Sequence, residues 1–162
     1  MVRLKPGHYV RTGAWMRGFS CVVSAFRRTR SRGDTYTDRM PKVVAVIGAS
    51  NDRRKFGNRA VRAYQQQGHT VIPINPHETT VEGLKTYPSV LDVPGPIDMA
   101  SFYVPPDVGE RVIDEIAKKG IPEVWFNPGA ESDALVARAR ALNLQPIVAC
   151  SIVAIGQNPY QL

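Results

Sequence analysis

The chain has 162 residues, of which 43% are hydrophobic and 22% charged, a size and composition typical of one globular domain. The formal net charge of +7 lies entirely in residues 1–39, where nine Lys and Arg accompany two Asp, whereas residues 40–162 carry twelve basic and twelve acidic side chains. A neutral domain behind a basic segment argues against nucleic-acid binding, and no apolar run is long enough to predict a membrane span.

The basic segment 1–39 has no helical or strand periodicity and holds one short apolar patch, residues 19–26. Its Arg-rich, acid-poor composition resembles a transit peptide, and an extension upstream of a natural start at Met40 is an equally simple interpretation. Under either interpretation we expect residues 1–39 to be disordered or absent from the mature protein, and residues 40–162 to form the domain. The widely separated Cys21 and Cys150 predict no disulfide framework and a reducing, cytoplasmic compartment.

From Met40 onward, apolar β-branched runs alternate with segments whose apolar residues recur at helical spacing. The first run is continuous, which is typical of a strand covered on both faces. Glycines and prolines indicate where the segments end. The predicted elements, in chain order, are a strand at 43–47, a helix at 56–67, a strand at 70–74, an irregular stretch at 81–87, at most one helical turn within 88–94, a strand at 97–104, a helix between 107 and 120, a strand at 122–126, a helix at 131–143, a strand at 145–149 and a tail over 152–162.

Asp107 is predicted to be the N-cap of the clearest helix because Glu110 follows three residues later, as in a capping box. Five strands alternating with helices predict an α/β fold, a Rossmann-like three-layer domain with a mainly parallel five-stranded sheet. In such sheets ligands bind outside the carboxyl ends of the strands, where the strand order reverses. The loops after the first four strands are therefore candidate ligand-binding segments.

The loop after the first strand combines small residues with consecutive cations at the start of a helix. Gly48, Ala49 and Ser50 allow a ligand to approach the backbone, and Arg53, Arg54 and Lys55 add positive charge. Because a helix N-terminus attracts anions, this arrangement predicts a phosphate site. The alternative is a solvated basic loop with a tight turn. The loop matches neither G-x-G-x-x-G nor a P-loop.

The loops after the second and third strands narrow the choice of ligand. An NAD site usually has an acidic residue at the end of the second strand, and here Asn75 and Pro76 occupy that place. This makes an NAD(P) site less favoured without excluding it. After the third strand, Pro105 and Pro106 form a rigid rim with few donors that suits a flat or apolar group, although the two prolines would also simply terminate the strand.

The order and spacing of these loops resemble the CoA-binding domain family, the stand-alone relative of the N-terminal domain of the succinyl-CoA synthetase α-subunit. The resemblance covers residues 40 to about 155 and rests on AVIGAS with the later Gly57, GHTVIPINP with VEGLKTYPSV, SFYVPPDVGERVIDEIAKKGIPEVWFNPGAES, and PIVACSI. It implies that coenzyme A or an acyl-CoA lies over the carboxyl edge of the sheet. The implied and chosen contacts are Gly48, Ala49, Ser50, Arg54, Lys55 and Gly57 for the phosphates, Asn75, Pro76, Val104, Pro105 and Pro106 for the nucleotide, and Asn127 and Gly129 beside the pantetheine.

The sequence presents no catalytic or metal-binding constellation, so we expect a CoA-binding protein that is not an enzyme, with an unidentified protein partner possible and no nucleic-acid or membrane partner. His77 is the one histidine near the predicted site, and Cys150 is expected to be a small buried residue rather than a nucleophile. Alternation sends Trp125 and Phe126 to opposite faces, so at least one is core and the other could stack on a ligand. Two alternatives remain open: an NAD(P)-binding regulatory module and the CoA-binding subunit of a split acyl-CoA ligase, in which the phosphorylated histidine belongs to another domain.

Overall fold

The predicted strands form one parallel sheet in a computed structural model, which describes residues 40–162; the predicted extension 1–39 lies outside the described residues. The strands of the domain are β1 (Val43–Ile47), β2 (Thr70–Ile74), the short β3 (Thr80–Val81) and β4 (Leu84–Lys85), β5 (Met99–Phe102), β6 (Glu123–Phe126) and β7 (Gln145–Val148). Five of them form the sheet in the order β2-β1-β5-β6-β7, with all neighbouring pairs parallel, and β3 and β4 pair separately. The predicted five-stranded parallel sheet is confirmed.

Helices cover both faces of this sheet. They are α1 (Phe56–Gln66), α2 (Pro106–Lys119), α3 (Asp133–Ala141) and α4 (Ser151–Ala154), with a 3-10 helix at Val90–Asp92. Val61 of α1 and Ile152 of α4 are fully buried in one hydrophobic cluster, with Val44 and Val46 of the sheet. Ile113 of α2 and Leu135 of α3 belong to a second cluster on the other face. The three-layer Rossmann-like architecture is therefore confirmed. No helix within 40–162 is long and apolar enough to cross a membrane.

Three local expectations are corrected by the structure. The N-cap of α2 is Pro105 rather than Asp107, and no side chain caps the helix. Pro106 therefore stands at the first helical position, where its missing N–H costs no hydrogen bond. The irregular stretch 81–87 contains part of an antiparallel hairpin, β3–β4, whose turn places the non-glycine residue Glu82 at a φ of +48°. The C-terminal tail contains α4, too short to show a helical period.

The strand order reverses between β1 and β5. After β1 the chain passes to β2 on one side, and it later returns to β5 on the other side. The loops that leave the carboxyl ends of β1 and β5 therefore diverge, and they open a crevice between them. This crevice is the expected place for a ligand.

Candidate functional site

A cavity of about 340 Å³ opens at this reversal of strand order. Its walls come from the loops that follow β1, β5 and β6, together with the first turn of α1. The lining residues are Gly48, Lys55, Phe56, Gly57, Phe102, Tyr103, Val104, Pro105, Asn127, Pro128, Gly129 and Ala130. Since these segments are far apart in sequence, the parallel sheet alone brings them together.

The thirteen residues chosen from the sequence fall into two groups in this structure. Those that line the cavity are Gly48, Lys55, Gly57, Val104, Pro105, Asn127 and Gly129. Those that do not are Ala49, Ser50, Arg54, Asn75, Pro76 and Pro106. The second group lies in the same loops or directly next to them, so the structure brings the chosen segments to one edge of the sheet.

Two glycines allow the β1 loop to lie close to the β5 loop and to α1. Gly48 has a φ of +85°, and a Cβ atom there would lie 2.6 Å from Val104 Cγ1 and 2.9 Å from the Tyr103 carbonyl oxygen. A Cβ atom on Gly57 would overlap the carbonyl oxygen of Gly48. Both positions therefore exclude a side chain, and the first turn of α1 sits directly on the end of β1.

The N-terminus of α1 is open at the cavity. Lys55 is its N-cap, no side chain caps the helix, and no acidic residue stands in its first turn. The Lys55 carbonyl accepts hydrogen bonds from the N–H groups of Asn58 and Arg59, whereas the N–H groups of Phe56 and Gly57 have no acceptor among the described residues. Uncapped N–H groups at the positive end of a helix are suited to bind an anion.

The three consecutive cations have different surroundings. Arg53 pairs with Glu82, with 3.1 Å between Nε and Oε1. Arg54 forms a two-pronged pair with Asp52, with both contacts at 3.0 Å. The ammonium of Lys55 has no ion-pair partner within residues 40–162, and Lys55 lines the cavity. Lys55 is thus the cation of this loop that is available to a ligand in the cavity.

The pairing with Arg54 changes the acidity of Asp52. The side-chain hydrogen bond from Arg54 lowers the pKa of Asp52 to about 2, and the hydrogen bond from the Arg54 backbone N–H acts in the same direction. Asp52 is therefore ionised at neutral pH. The charge of Arg54 is offset within the loop by Asp52, and that of Arg53 by Glu82 of the β3–β4 turn, so Lys55 carries the unpaired positive charge of this loop among the described residues.

Side chains from the segment 75–82 hold the β1 loop in place. The Asn75 amide donates to the Ala49 carbonyl at 2.7 Å, and the Asn51 amide donates to Glu78 at 2.6 Å. The fully buried Asn58 donates to both the Ser50 carbonyl and the Glu82 carboxylate. The loop is therefore anchored to the segment that follows β2 and to α1.

Asn127 joins three elements below the cavity. Its amide donates to Ser101 Oγ at 2.9 Å and to the Phe102 carbonyl at 3.0 Å, and its oxygen accepts the Ser151 N–H at 2.8 Å. Ser151 also shares a hydrogen bond of 2.9 Å with the hydroxyl of Tyr103. Burial raises the pKa of Tyr103 well above its ordinary value of 10, so the hydroxyl stays protonated at neutral pH. This network fixes the end of β5, the end of β6 and the start of α4 relative to one another.

The other chemically notable residues lie outside the cavity lining. His77 is exposed, and its backbone N–H donates to the Asn75 side chain. Cys150 is half-buried and precedes α4. Trp125 and Phe126 are both buried, on opposite faces of the sheet, so both are core residues.

Several residues that shape the site were not predicted from the sequence. Phe56, Tyr103 and Ala130 line the cavity, and Asn58 and Glu82 hold the loop. A buried polar residue on the apolar side of a predicted helix was the available signal for Asn58, and the Glu-Gly pair is a turn signal for Glu82. No local signal indicated that the two side chains touch.

A Rossmann-like sheet with an open helix N-terminus and a cavity at the reversal of strand order defines a nucleotide-binding domain. The comparison with known protein families then identifies the family of this nucleotide-binding domain. The model of the CoA binding domain family matches residues 42–156. The chain belongs to this family, which confirms the resemblance inferred from the loops and favours CoA over NAD(P).

Similar proteins include both single domains and larger ligases. The chain is 39% identical over 85 residues to the α-subunit of acetate–CoA ligase [ADP-forming] II from Pyrococcus furiosus, a match that spans 52% of this chain and 19% of that protein. A conserved hypothetical protein from P. furiosus has a solved structure with 32% identity and a TM-score of 0.64, over 70% of this chain and 98% of that one. A dinucleotide-forming acetyl-coenzyme A synthetase 1 from Ca. Korarchaeum cryptofilum, solved with phosphate and ADP, gives 34% identity and a TM-score of 0.61, over 70% of this chain and 27% of that one.

The chain thus corresponds to one domain of the ligases and to nearly the whole of the single-domain structure. It spans about a fifth of the P. furiosus ligase subunit.

Proposed function

We propose that the chain binds coenzyme A or an acyl-CoA at the carboxyl edge of its sheet and does not itself turn the ligand over. The observation that carries the proposal is the cavity at the reversal of strand order, which is lined by Lys55, Phe56 and Gly57; the N–H groups of Phe56 and Gly57 have no acceptor within residues 40–162. In this proposal the diphosphate of CoA binds there, because backbone donors and one cation match a diphosphate.

The remainder of the cavity suits the pantetheine arm. Val104 and Pro105 from the β5 loop line it together with Asn127, Pro128 and Gly129 from the β6 loop. Pantetheine is a flexible chain with two amide groups, so an apolar groove with a few backbone donors and acceptors can hold it. The adenosine then lies toward Asn75 and Pro76, at the end of β2.

Isothermal titration calorimetry of the purified chain with CoA, acetyl-CoA and NADH tests this proposal. We expect saturable binding of CoA and acetyl-CoA, with NADH failing to compete. Native mass spectrometry of the same sample should reveal any CoA that co-purifies. Tight NADH binding that CoA does not displace would contradict the proposal and favour a regulatory NAD(P) module.

The cytoplasmic location of the protein stays a prediction from its cysteine usage.

A second candidate is a CoA-binding subunit of a split acyl-CoA ligase, which the similarity to a ligase α-subunit favours. This candidate predicts that the chain alone forms no ADP from ATP, acetate and CoA, and that a separate ATP-binding chain restores the reaction. If ADP forms with the purified chain alone, the assignment as a binding protein without catalysis is wrong.

A further inference from the structure

The pair formed by Asp52 and Arg54 lies at the border of the proposed CoA site, and its side-chain contacts with residues 40–162 stay within the β1 loop. The Arg54 side chain is 90% exposed, and that of Asp52 is 31% exposed. Arg54 contacts Asp52 through both Nε and Nη2. A guanidinium that binds a carboxylate in this way presents the same geometry that it uses to bind a phosphate.

The pair lies outside the cavity lining, and the 3′-phosphate is the part of CoA that we relate to it. Lys55 and the N-terminus of α1 line the cavity, whereas Arg54 does not. The same loop is anchored to the segment 75–82, which follows β2. In Rossmann-like folds the ribose of the nucleotide lies at the end of the second strand. The 3′-phosphate of CoA is carried by that ribose, so the proposed binding mode places it outside the cavity, near the β1 loop and the segment that follows β2.

We propose that Asp52 competes with the 3′-phosphate of CoA for the guanidinium of Arg54, and that this exchange makes the site distinguish CoA from dephospho-CoA. Before binding, the Asp52 carboxylate occupies the two donors of Arg54. On binding, the guanidinium turns to the 3′-phosphate, and Asp52 keeps its hydrogen bond from the Arg54 N–H, which measures 3.0 Å. The inference rests on the proposed function, since it assigns a role within the same CoA site.

The contact with Arg54 lowers the pKa of Asp52 to about 2, as expected for a carboxylate that the guanidinium already binds before CoA is added. Arg53 differs from Arg54 in what its carboxylate partner holds. Its partner Glu82 also accepts a hydrogen bond from the buried Asn58, so releasing Arg53 would disturb an anchored side chain. Arg54 has a partner that can release it without breaking a contact to another element.

The test is a comparison of Asp52→Asn, Arg54→Gln and the double variant, each titrated with CoA and with dephospho-CoA at low salt. Asparagine keeps an oxygen that can accept the Arg54 N–H but cannot bind the guanidinium as a charged pair. We expect Asp52→Asn to strengthen CoA binding about 2- to 5-fold, the size of one exposed ion pair, with a change below about 1.5-fold for dephospho-CoA. Arg54→Gln should lower the affinity for CoA toward that for dephospho-CoA.

The double variant separates exchange from a general effect of charge. Without Arg54, the Asp52→Asn change should no longer alter the ratio of the two affinities. The matched control is Asp114→Asn, which releases Arg138 from a similar exposed pair on α2 and α3. This control should leave both affinities unchanged.

Equal strengthening of both ligands by Asp52→Asn, or a ratio that still changes in the double variant, would overturn the proposal. A second readout does not depend on any variant: the Nε–Hε NMR signal of Arg54 in the unchanged chain should shift with CoA and stay in place with dephospho-CoA. A chain that binds both ligands equally would refute the exchange while leaving the proposed function intact. A chain that binds neither would refute both.

Discussion

Gly57 lies against the carbonyl group of Gly48 with no room for a side chain between them. This contact sets the first turn of α1 directly on the end of β1, where Phe56 and Gly57 line the cavity and their N–H groups have no acceptor among the described residues. The glycine pair therefore determines how closely an anion can approach the helix N-terminus, since a wider gap would move the donors away from the sheet.

Gly57→Ala is expected to destabilise the domain by about 1–3 kcal/mol, because the added methyl group forces the helix away from the β1 loop. The same displacement should weaken CoA binding. Chemical denaturation and calorimetric titration measure the two effects. Gln66→Ala, at an exposed position of the same helix, is the control and should change neither quantity. An unchanged stability and affinity for Gly57→Ala would mean that the close approach is unimportant.

Lys55→Gln should weaken CoA binding about 3- to 10-fold at low ionic strength, because it removes the cation that lines the cavity without an ion-pair partner among the described residues. The loss should shrink as salt is raised, since salt screens an exposed charge. Arg53→Gln removes an equal charge from the same loop, but the charge is already paired with Glu82, so its effect should be smaller. Titrations at two salt concentrations measure this. A loss for Lys55→Gln that is independent of salt would indicate a role in shape rather than charge.

Asn127→Ala should destabilise the domain by about 1–3 kcal/mol, because it leaves the N–H of Ser151 and the carbonyl of Phe102 without their partner in a buried position. Amide hydrogen exchange should increase more at the start of α4 than in β1. The measurement is amide exchange followed by mass spectrometry. Exchange that rises uniformly over the domain would show that Asn127 does not hold α4 specifically.

The stability of the domain should fall as the pH drops below about 6.5, in part because of His69. Burial lowers the pKa of His69 from its ordinary value of 6.5, and the charge of Lys42 lowers it further. Nδ1 of His69 accepts the Lys42 N–H at 3.1 Å, which a protonated ring cannot do. The unfolded chain therefore takes up a proton at a higher pH than the folded chain, and stability present above pH 6.5 is lost as the pH falls through the lower pKa of the folded state.

Urea unfolding at pH 5 and pH 8 measures this effect. His69→Gln should reduce the difference in stability between the two pH values. His77→Gln is the matched control, because His77 is exposed and has no comparable contact, and it should leave the difference unchanged. A pH dependence that is identical in the His69 variant would exclude His69 as its source.

Elements that depend on neighbouring residues along the chain were predicted better than features that depend on more distant contacts or on competing local signals. The strand at 43–47, the helix that begins at Phe56 and the strand at 70–74 were predicted well, because each depends on a local run of apolar residues. The N-cap of α2 was predicted wrongly. Asp107 satisfied a local capping pattern, yet the pair Pro105–Pro106 already fixes the backbone for the first helical position.

The surroundings of the charges in the β1 loop also depend on contacts that the local sequence does not show. From the sequence, Arg54 and Lys55 were equivalent candidates for phosphate contact. Lys55 lines the cavity, and Arg54 binds Asp52 outside it. Arg53 pairs with Glu82, which is 29 positions away and reaches the loop only because the β3–β4 hairpin folds beside it.

The sequence by itself determined the alternation of strands and helices, the parallel sheet and the edge at which a ligand is expected to bind, because these follow from hydrophobic periodicity and the chirality of the chain. Only the tertiary structure decided which cation is available, which amide groups are occupied and which residues enclose the cavity. Those outcomes depend on contacts between the ends of β1, β2, β5 and β6, and such contacts arise only when the sheet has assembled.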